Sequence, residues 1–289
     1  MFRWLFGKGA KPARVARELA AIDPALWAAT LARHRFLAGL DAAALEALRQ
    51  RVAWLIASKG FSGAHDLEIN DEMMLSIAIQ AALPILNLEP ALYEGWTEII
   101  VYPGGFLIPR SEMDESGVVH EYVEEAAGEA WEGGPVVLSW EDAGAGSGSD
   151  VNVVIHEFAH KLDLYQGEAD GMPWLGRHAP VLTPKAWKRV LDACYADFCN
   201  ALDRVEAAIP HDVDPESDEA AAWYEMLPLD PYAATDTAEF FAVSSEAFFV
   251  YPAPLASAYP DWYSLLSQYY RQDPLQRLRN ASMPDLPVS

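Results

Sequence analysis

The run HEFAH at residues 156–160 constrains this chain more than any other feature of its sequence. On an α-helix, histidines four residues apart project from one side, so their imidazoles can bind the same metal ion. Zinc prefers neutral imidazole, and a catalytic zinc site uses three protein ligands and leaves one position for water. The run therefore predicts that His156 and His160 bind one Zn²⁺ per chain, with Glu157 between them as a general base.

The residues around this run predict a helix from about 150 to 165, capped at its N-terminus by Ser149 or Asp150. Apolar residues recur at i, i+3 and i+4 spacing and are expected to anchor one face in the core, with the imidazoles on roughly the opposite side. Asp163 lies on the side of the imidazoles, and we expect it to orient a zinc-bound imidazole rather than to bind the metal. The apolar residues of the core face are Val151, Val154, Ile155, Phe158 and Leu162.

A third metal ligand must come from elsewhere in the chain, and the sequence offers several carboxylates. Glu239 and Glu246 are seven residues apart on a helix predicted from Asp236 to Val250, so both lie on one face. Spacing alone does not choose between them. Glu239 also has a purely local alternative, because Asp236 followed three residues later by Glu239 is a capping-box pattern.

The rest of the sequence predicts an α+β fold that is mainly helical, with a small mixed sheet beside the HEFAH helix. Two short segments rich in β-branched residues, Glu98–Tyr102 and Val136–Trp140, are expected to be strands of that sheet. Helices are expected at 13–60, at 73–83 with Asp71 as the cap and Pro84 as the stop, and at 183–208.

The chain of 289 residues, 52% of them hydrophobic, is long and apolar enough for a sizeable core. We expect one domain over 1–289, with a helical N-terminal layer at 1–95 and the catalytic core at 96–289. Cys194 and Cys199 are five residues apart on a predicted helix and point to different faces, so both thiols are expected to be free.

The charge balance argues against partners that carry phosphate. The chain has 43 acidic and 20 basic residues, a formal charge of −23, and should repel nucleic acids and anionic membranes while attracting cationic peptides or a basic protein. No stretch of eighteen apolar residues and no apolar core of a signal peptide is visible, so we expect a cytoplasmic protein without a membrane span.

Several longer runs resemble one known family, the Mlc titration factor A family. They are HEFAHKLD at 156–163, DPYAATDTAEFFAV at 230–243, QDPLQRL at 272–278, GPVVLSW at 134–140 and MFRW at 1–4. The resemblance covers nearly the whole chain. That family is a group of bacterial zinc peptidases with a gluzincin-type site, similar in its catalytic core to the protease domain of anthrax lethal factor, so the resemblance implies a zincin-like fold.

The resemblance also implies roles for individual residues. By position in the pattern AEFFA, the family's carboxylate ligand falls on Glu239, which leaves Glu246 to support the site or the core. Tyr232 matches a tyrosine that can stabilise an oxyanion. His120 matches a histidine counted among the family's metal ligands; its alternative is a hydrogen-bonded cleft histidine, because a fourth protein ligand would occupy the position that water needs.

The implied function is zinc-dependent, aminopeptidase-like hydrolysis of peptides, with Val136–Trp140 as the edge strand that aligns the substrate. Family members are implicated in sequestering the repressor Mlc, which relieves repression of sugar-uptake genes. Two alternatives stay open, a non-catalytic zinc-containing protein that binds a repressor and a zinc ion that only stabilises the fold. The segment 206–224 is longer than the resemblance leads us to expect and could alter substrate access.

Overall fold

The computed structural model describes residues 10–113, 119–144, 151–176, 182–215, 217 and 219–282, and between 109 and 125 it describes the backbone alone. Helices dominate these residues. They are α1 (Pro12–Ala21), α2 (Pro24–Arg33), α3 (Ala42–Ser58), α4 (Asp71–Ala82), α5 (Trp140–Gly144), α6 (Val153–Asp163), α7 (Pro184–Glu206), α8 (Ala221–Tyr224), α9 (Thr237–Val250), α10 (Pro252–Ala258), α11 (Pro260–Tyr270) and α12 (Pro274–Ser282).

The strands form one mixed sheet and a separate hairpin. The sheet has the order β1-β2-β6-β5, in which β1, β2 and β6 are parallel and β5 runs antiparallel to β6. The hairpin pairs β3 with β4. The strands are β1 (Gly60–Gly63), β2 (Glu98–Tyr102), β3 (Phe106–Met113), β4 (Val119–Ala126), β5 (Gly128–Ala130) and β6 (Val136–Ser139).

The predicted fold class is confirmed at this level, because the described chain is mainly helical with a small mixed sheet. Strand β2 has the predicted bounds, whereas β6 ends at Ser139 because Trp140 begins α5. Strand β1 lies within the predicted helical layer and pairs with β2. The cap of α4 was predicted one residue too late, since the Asn70 side chain accepts a hydrogen bond from the Met73 N–H.

Helix α6, which carries the HEFAH run, begins later than predicted. Its cap is Asn152, whose side chain accepts from the Ile155 N–H, and the alternatives Ser149 and Asp150 lie outside the described residues. Val151 therefore precedes the helix and is 54% exposed, so its assignment to the core face was wrong. The helix packs against α4, α9 and β5, which bury nearly all of its residues.

The core beside α6 is aromatic. Trp187 of α7 lies at the centre of edge-on ring contacts with Phe241 of α9 and with Trp262 and Tyr269 of α11, at centroid distances of 4.9–6.1 Å. These rings pack α9 against α7 and α11, on which the position of α9 beside α6 depends. Helix α7 begins one residue after the predicted Thr183, which caps it, and its two cysteines are free thiols, as predicted.

The described residues contain no helix that is both long enough and apolar enough to cross a membrane.

Candidate metal centre

Three side-chain atoms converge between helices α6 and α9. The Nε2 atoms of His156 and His160, one turn apart on α6, are 3.1 Å from each other. Glu239 reaches them from the first turn of α9, with its Oε2 atom 3.0 Å from His156 Nε2 and 3.2 Å from His160 Nε2. The two imidazoles and the carboxylate thus form a nearly equilateral triangle of possible metal ligands.

Local sequence explains how Glu239 comes to this position. Asp236 caps α9 by accepting from the N–H groups of Ala238 and Glu239, as the capping-box pattern suggests. The Glu239 carboxylate lies against the imidazoles instead of completing that box. Burial raises the pKa of Glu239, but the hydrogen bonds and charges of His156 and His160 outweigh burial and bring the pKa far below its usual range.

Glu246 holds His156 from behind. Its Oε1 atom lies 2.6 Å from Nδ1 of His156, and its Oε2 atom accepts from the Asn152 N–H at 2.7 Å. Burial lowers the pKa of His156, but its hydrogen bonds to Glu239 and Glu246 raise the pKa well above 6.5. The Nδ1 contact directs the Nε2 atom of the same ring towards Glu239. Glu239 is therefore the carboxylate that lies in the triangle, and Glu246 lies behind His156.

Glu157 faces the other side of α6, towards β5. It is 4% exposed, and its Oε2 atom has no hydrogen-bond partner in the described part of the chain. Burial raises the pKa of Glu157 to about 7, against the opposing charges of His156 and His160. A Cβ atom on Gly128 would lie 2.4 Å from Glu157 Oε1, so only a glycine lets β5 approach this carboxylate so closely.

The site opens into a cleft of about 490 Å³. Its walls are formed by β5, α6, α9 and the 3-10 turn Pro231–Ala234. The predicted edge strand was wrong, because β6 lies between β2 and β5 in the described sheet and β5 is the strand that lines the cleft.

Comparison with known proteins agrees with this geometry. The profile of the glucose-regulated metallo-peptidase M90 family matches residues 10–271. The chain belongs to this family. It is 36% identical over 217 residues to Mlc titration factor A of Pectobacterium atrosepticum, covering 74% of both chains. It is also 36% identical to the Serratia proteamaculans protein of that name, over 78% of this chain and 79% of the relative, and 33% identical to the Klebsiella pneumoniae one, over 86% and 87%.

Membership of the M90 family supports a metallopeptidase-type hydrolase, and the donor set fits a metal cofactor. Tetrahedral ligands about 2.0–2.1 Å from a zinc ion lie roughly 3.3 Å from one another. The three donor atoms here are 3.0–3.2 Å apart, so they need to move only slightly away from one another to reach such a geometry. Two neutral imidazoles and a carboxylate are also a common ligand set of catalytic zinc.

The remaining residues with predicted roles lie around this centre. Tyr232, in the 3-10 turn, is 44% exposed and its ring centroid is 6.1 Å from that of His156. His120 pairs with Glu112 in the hairpin, but its side chain lies outside the described part of the M90 chain. Asp163 accepts from the Gly171 N–H at 2.7 Å, and it is Glu246 that bonds the imidazole of His156, as Asp163 was expected to do for one of the two imidazoles.

Sequence reasoning missed two groups that shape this M90 site. The first is β5, a three-residue strand without β-branched residues, which no local pattern marks. The second is Lys161 of the HEFAHK run, which is 3% exposed and donates to the carbonyls of Trp131 and Gly134 at 2.6 and 2.9 Å. A lysine inside the helix was visible in the sequence, but its partners were not.

Proposed function

We propose that the protein is a zinc-dependent peptidase with aminopeptidase-like activity on small peptides. The observation that carries the proposal is the triangle of His156, His160 and Glu239, with the buried carboxylate of Glu157 beside it at the edge of a cleft. The three triangle residues would hold the metal. A zinc ion bound there would supply Lewis-acid polarisation of a substrate carbonyl and would acidify a water molecule.

The chain's own residues would do the rest of the chemistry. Glu157 accepts a proton from the attacking water and passes it to the leaving amine, a role that suits its pKa of about 7. Tyr232 donates a hydrogen bond to the oxygen on which negative charge develops. Glu246 keeps the imidazole of His156 in one orientation while this happens.

Strand β5 is the proposed guide for the substrate. Its three residues line the cleft beside Glu157, and its partner β6 occupies only one of its two edges within the described sheet. An extended peptide could pair with the other edge, so that its carbonyl groups pass the metal in a fixed register. This replaces the predicted role of Val136–Trp140.

The amino-terminal preference rests on charge. Glu129, Asp230 and Asp236 line the same cleft as the metal ligands. Three carboxylates at its rim would attract the ammonium group at the start of a peptide. The strongly acidic chain as a whole, at −23, would have the same effect over longer distances.

Three structural proposals accompany this function. The metal helix beside a mixed sheet with an antiparallel edge strand supports a zincin-like, gluzincin-type fold. A continuous hydrophobic core from Ala10 to Tyr270 supports a single domain over 1–289, with the N-terminal layer at 1–95 and the catalytic part at 96–289. We keep His120 as a candidate fourth metal ligand, to be tested by the zinc affinity of His120→Ala.

A second candidate function is binding of the repressor Mlc, because the relatives carry the name Mlc titration factor A. The acidic chain suits a basic, DNA-binding partner, and a partner of that kind would place the protein in the cytoplasm. This function could coexist with catalysis or could replace it, with zinc in a supporting role. A pull-down that recovers the repressor equally well with wild type and Glu157→Gln would separate binding from catalysis.

The test of the proposed function is hydrolysis of a panel of amino-acid p-nitroanilides and short peptides, with zinc content measured in parallel. We expect activity that disappears on chelation and returns with one zinc per chain. Glu157→Gln is the control that keeps the metal but loses activity. Stoichiometric zinc in a wild-type protein that cuts none of these substrates would contradict the peptidase and favour the binding protein.

A further inference from the structure

Gln80 is a buried amide in an apolar stretch of α4, more than seventy residues before the metal helix. It is 2% exposed, and its neighbours along α4 from Ile77 to Ala82 are buried as well. Burying an amide without partners is unfavourable by several kcal/mol. We therefore expect the Gln80 amide to have hydrogen-bond partners that explain its place in the core.

Both ends of the Gln80 amide are hydrogen-bonded. Nε2 donates to the carbonyl of Ala143 at 3.0 Å and to the carbonyl of Ser76 at 3.2 Å. Oε1 accepts from Nδ2 of Asn152 at 2.8 Å. Because the two carbonyls can only accept, the amide nitrogen must face them and the oxygen must face Asn152.

Asn152 connects Gln80 to the metal centre through further hydrogen bonds. Its Oδ1 atom caps α6 by accepting from the Ile155 N–H at 2.9 Å, and its own N–H donates to Glu246 Oε2 at 2.7 Å. The other oxygen of Glu246 lies 2.6 Å from Nδ1 of His156. We call the hydrogen-bonded set Gln80, Asn152 and Glu246 the support chain.

We propose that Gln80 is a positioning residue of the metal centre, which acts through Asn152 and Glu246 to fix the imidazole of His156. This inference rests on the proposed metal site and deepens it. Asn152 has rotational freedom about its side chain, and the Gln80 bond selects the rotamer in which Oδ1 caps α6. That cap fixes the backbone at the start of α6, where the Asn152 N–H meets Glu246. Groups that orient a ligand imidazole contribute about 10- to 100-fold to metal affinity.

The test compares zinc affinity between two variants that remove the hydrogen bond between Gln80 and Asn152, one from each partner. Gln80→Met keeps the length and volume of the side chain but removes the acceptor for Asn152. Asn152→Ser keeps an oxygen that can cap α6 and removes the Nδ2 donor, so it breaks the same bond without altering α4. Zinc dissociation constants would be measured by competition with a chelating indicator, and the melting temperature of each metal-free protein would be recorded.

Ser76→Ala is the matched control. Ser76 is also 2% exposed and lies one turn before Gln80 on α4. Its hydroxyl contacts His34 Nε2 at 3.2 Å and accepts a long hydrogen bond from Gln80 Nε2 at 3.5 Å, while the Ser76 and Ala143 carbonyls still hold that nitrogen when the hydroxyl is removed. The substitution removes a buried polar contact but leaves the bond between Gln80 and Asn152. A purely structural role of Gln80 would give the two α4 variants the same pattern, with a lower melting temperature and unchanged zinc affinity.

We expect Gln80→Met and Asn152→Ser each to weaken zinc binding about tenfold, and Ser76→Ala to leave it within twofold of wild type. The double variant Gln80→Met/Asn152→Ser should bind zinc no more weakly than the worse single variant, because both substitutions remove the same bond between Gln80 and Asn152. Unchanged affinity in either single variant, or additive losses in the double variant, would overturn the inference. Wild-type protein that binds no zinc would overturn the proposed metal site itself, so the two failures are distinguishable.

Discussion

The two walls of the cleft are built in opposite ways. The buried wall consists of α6 and α9, whose residues are nearly all buried and whose polar side chains in the site are tied by hydrogen bonds. The exposed wall consists of β5 and the 3-10 turn Pro231–Ala234, where Trp131 next to β5 is 52% exposed and Tyr232 is 44% exposed. The proposed metal ligands lie on the buried wall, and Tyr232 and β5, which are proposed to meet the substrate, lie on the exposed one.

This difference suits the two tasks. Zinc ligands must be held within a few tenths of an ångström, and a close-packed interior provides that rigidity. A substrate must enter and leave, so its contacts belong on short elements near the surface. Glu157 lies where the walls meet, on α6 but facing Gly128 of β5. If the two walls separate in function as they do in structure, substitutions on the buried wall and on the exposed wall should change different measured quantities.

The largest effect is expected for Glu157→Gln. The amide keeps the size of the side chain but cannot accept the proton of the attacking water, so kcat should fall by about 10³- to 10⁴-fold. Zinc content and melting temperature should change little, since Glu157 lies outside the triangle of ligands. The measurement is steady-state hydrolysis of the best p-nitroanilide by zinc-loaded protein.

Glu129→Gln is the matched control for this change, because Glu129 lines the cleft on the exposed wall. It should keep kcat within a few-fold of wild type. Comparable losses in the two variants would mean that charge in the cleft, and not proton transfer at Glu157, limits the reaction.

The next largest effect is expected on stability, when a buried ring is removed from the buried wall. Phe158 of α6 is fully buried and its ring lies 5.2 Å from that of Tyr93 and 5.6 Å from that of Trp96. Phe158→Ala should lower the free energy of unfolding by about 3–5 kcal/mol, because a cavity replaces the ring. Trp131→Ala, on the exposed wall, should lower it by less than about 1 kcal/mol. Urea denaturation of the metal-free proteins measures both, and equal losses would break the distinction between the walls.

The sequence was most informative where the signals are local. The HEFAH run, the β-branched strand β2 and the Asp236 cap of α9 each depend on residues within one or two turns, and the structure has them where they were predicted. A resemblance was needed to favour Glu239 over Glu246, because two carboxylates on one helix face differ only in their distance to another helix.

The features that were missed depend on contacts between distant segments. Asn152 and Asp150 are both good capping residues, and the cap at Asn152 coincides with its bonds to Gln80 and Glu246, which are distant in sequence. Strand β5 has no propensity signal of its own and exists because it pairs with β6 across a turn. The exposed wall was therefore harder to predict than the buried one.

A smaller effect is expected for Tyr232→Phe on the exposed wall. Loss of the hydroxyl removes one donor to the developing oxyanion, so kcat should fall by about 10²-fold. Zinc affinity and melting temperature should match wild type, because the ring remains. Tyr165→Phe is the control, since Tyr165 is also partly exposed and packs on Trp174. A Tyr232→Phe protein with weakened zinc binding would place Tyr232 in the support of the metal and so join the two walls.

The smallest effect is expected for Lys161→Met, which tests the link between the walls. Lys161 belongs to α6, but its Nζ atom donates to the carbonyls of Trp131 and Gly134 in the turn that follows β5. Methionine fills similar space without these bonds, so β5 should lose its fixed position relative to Glu157 while the triangle stays intact. We expect KM to rise about tenfold, equivalent to about 1.4 kcal/mol, with zinc content unchanged.

The exposed Lys188, which pairs with Asp192, provides the control variant Lys188→Met, for which no kinetic change is expected. If Lys161→Met instead loses zinc, the lysine supports the ligands of α6 and the buried wall extends to the turn after β5. If KM rises while zinc binding holds, substrate alignment depends on a bond that crosses from one wall to the other. The difference between the walls would then be sharper, because a single side chain of the buried wall would set the position of the exposed wall.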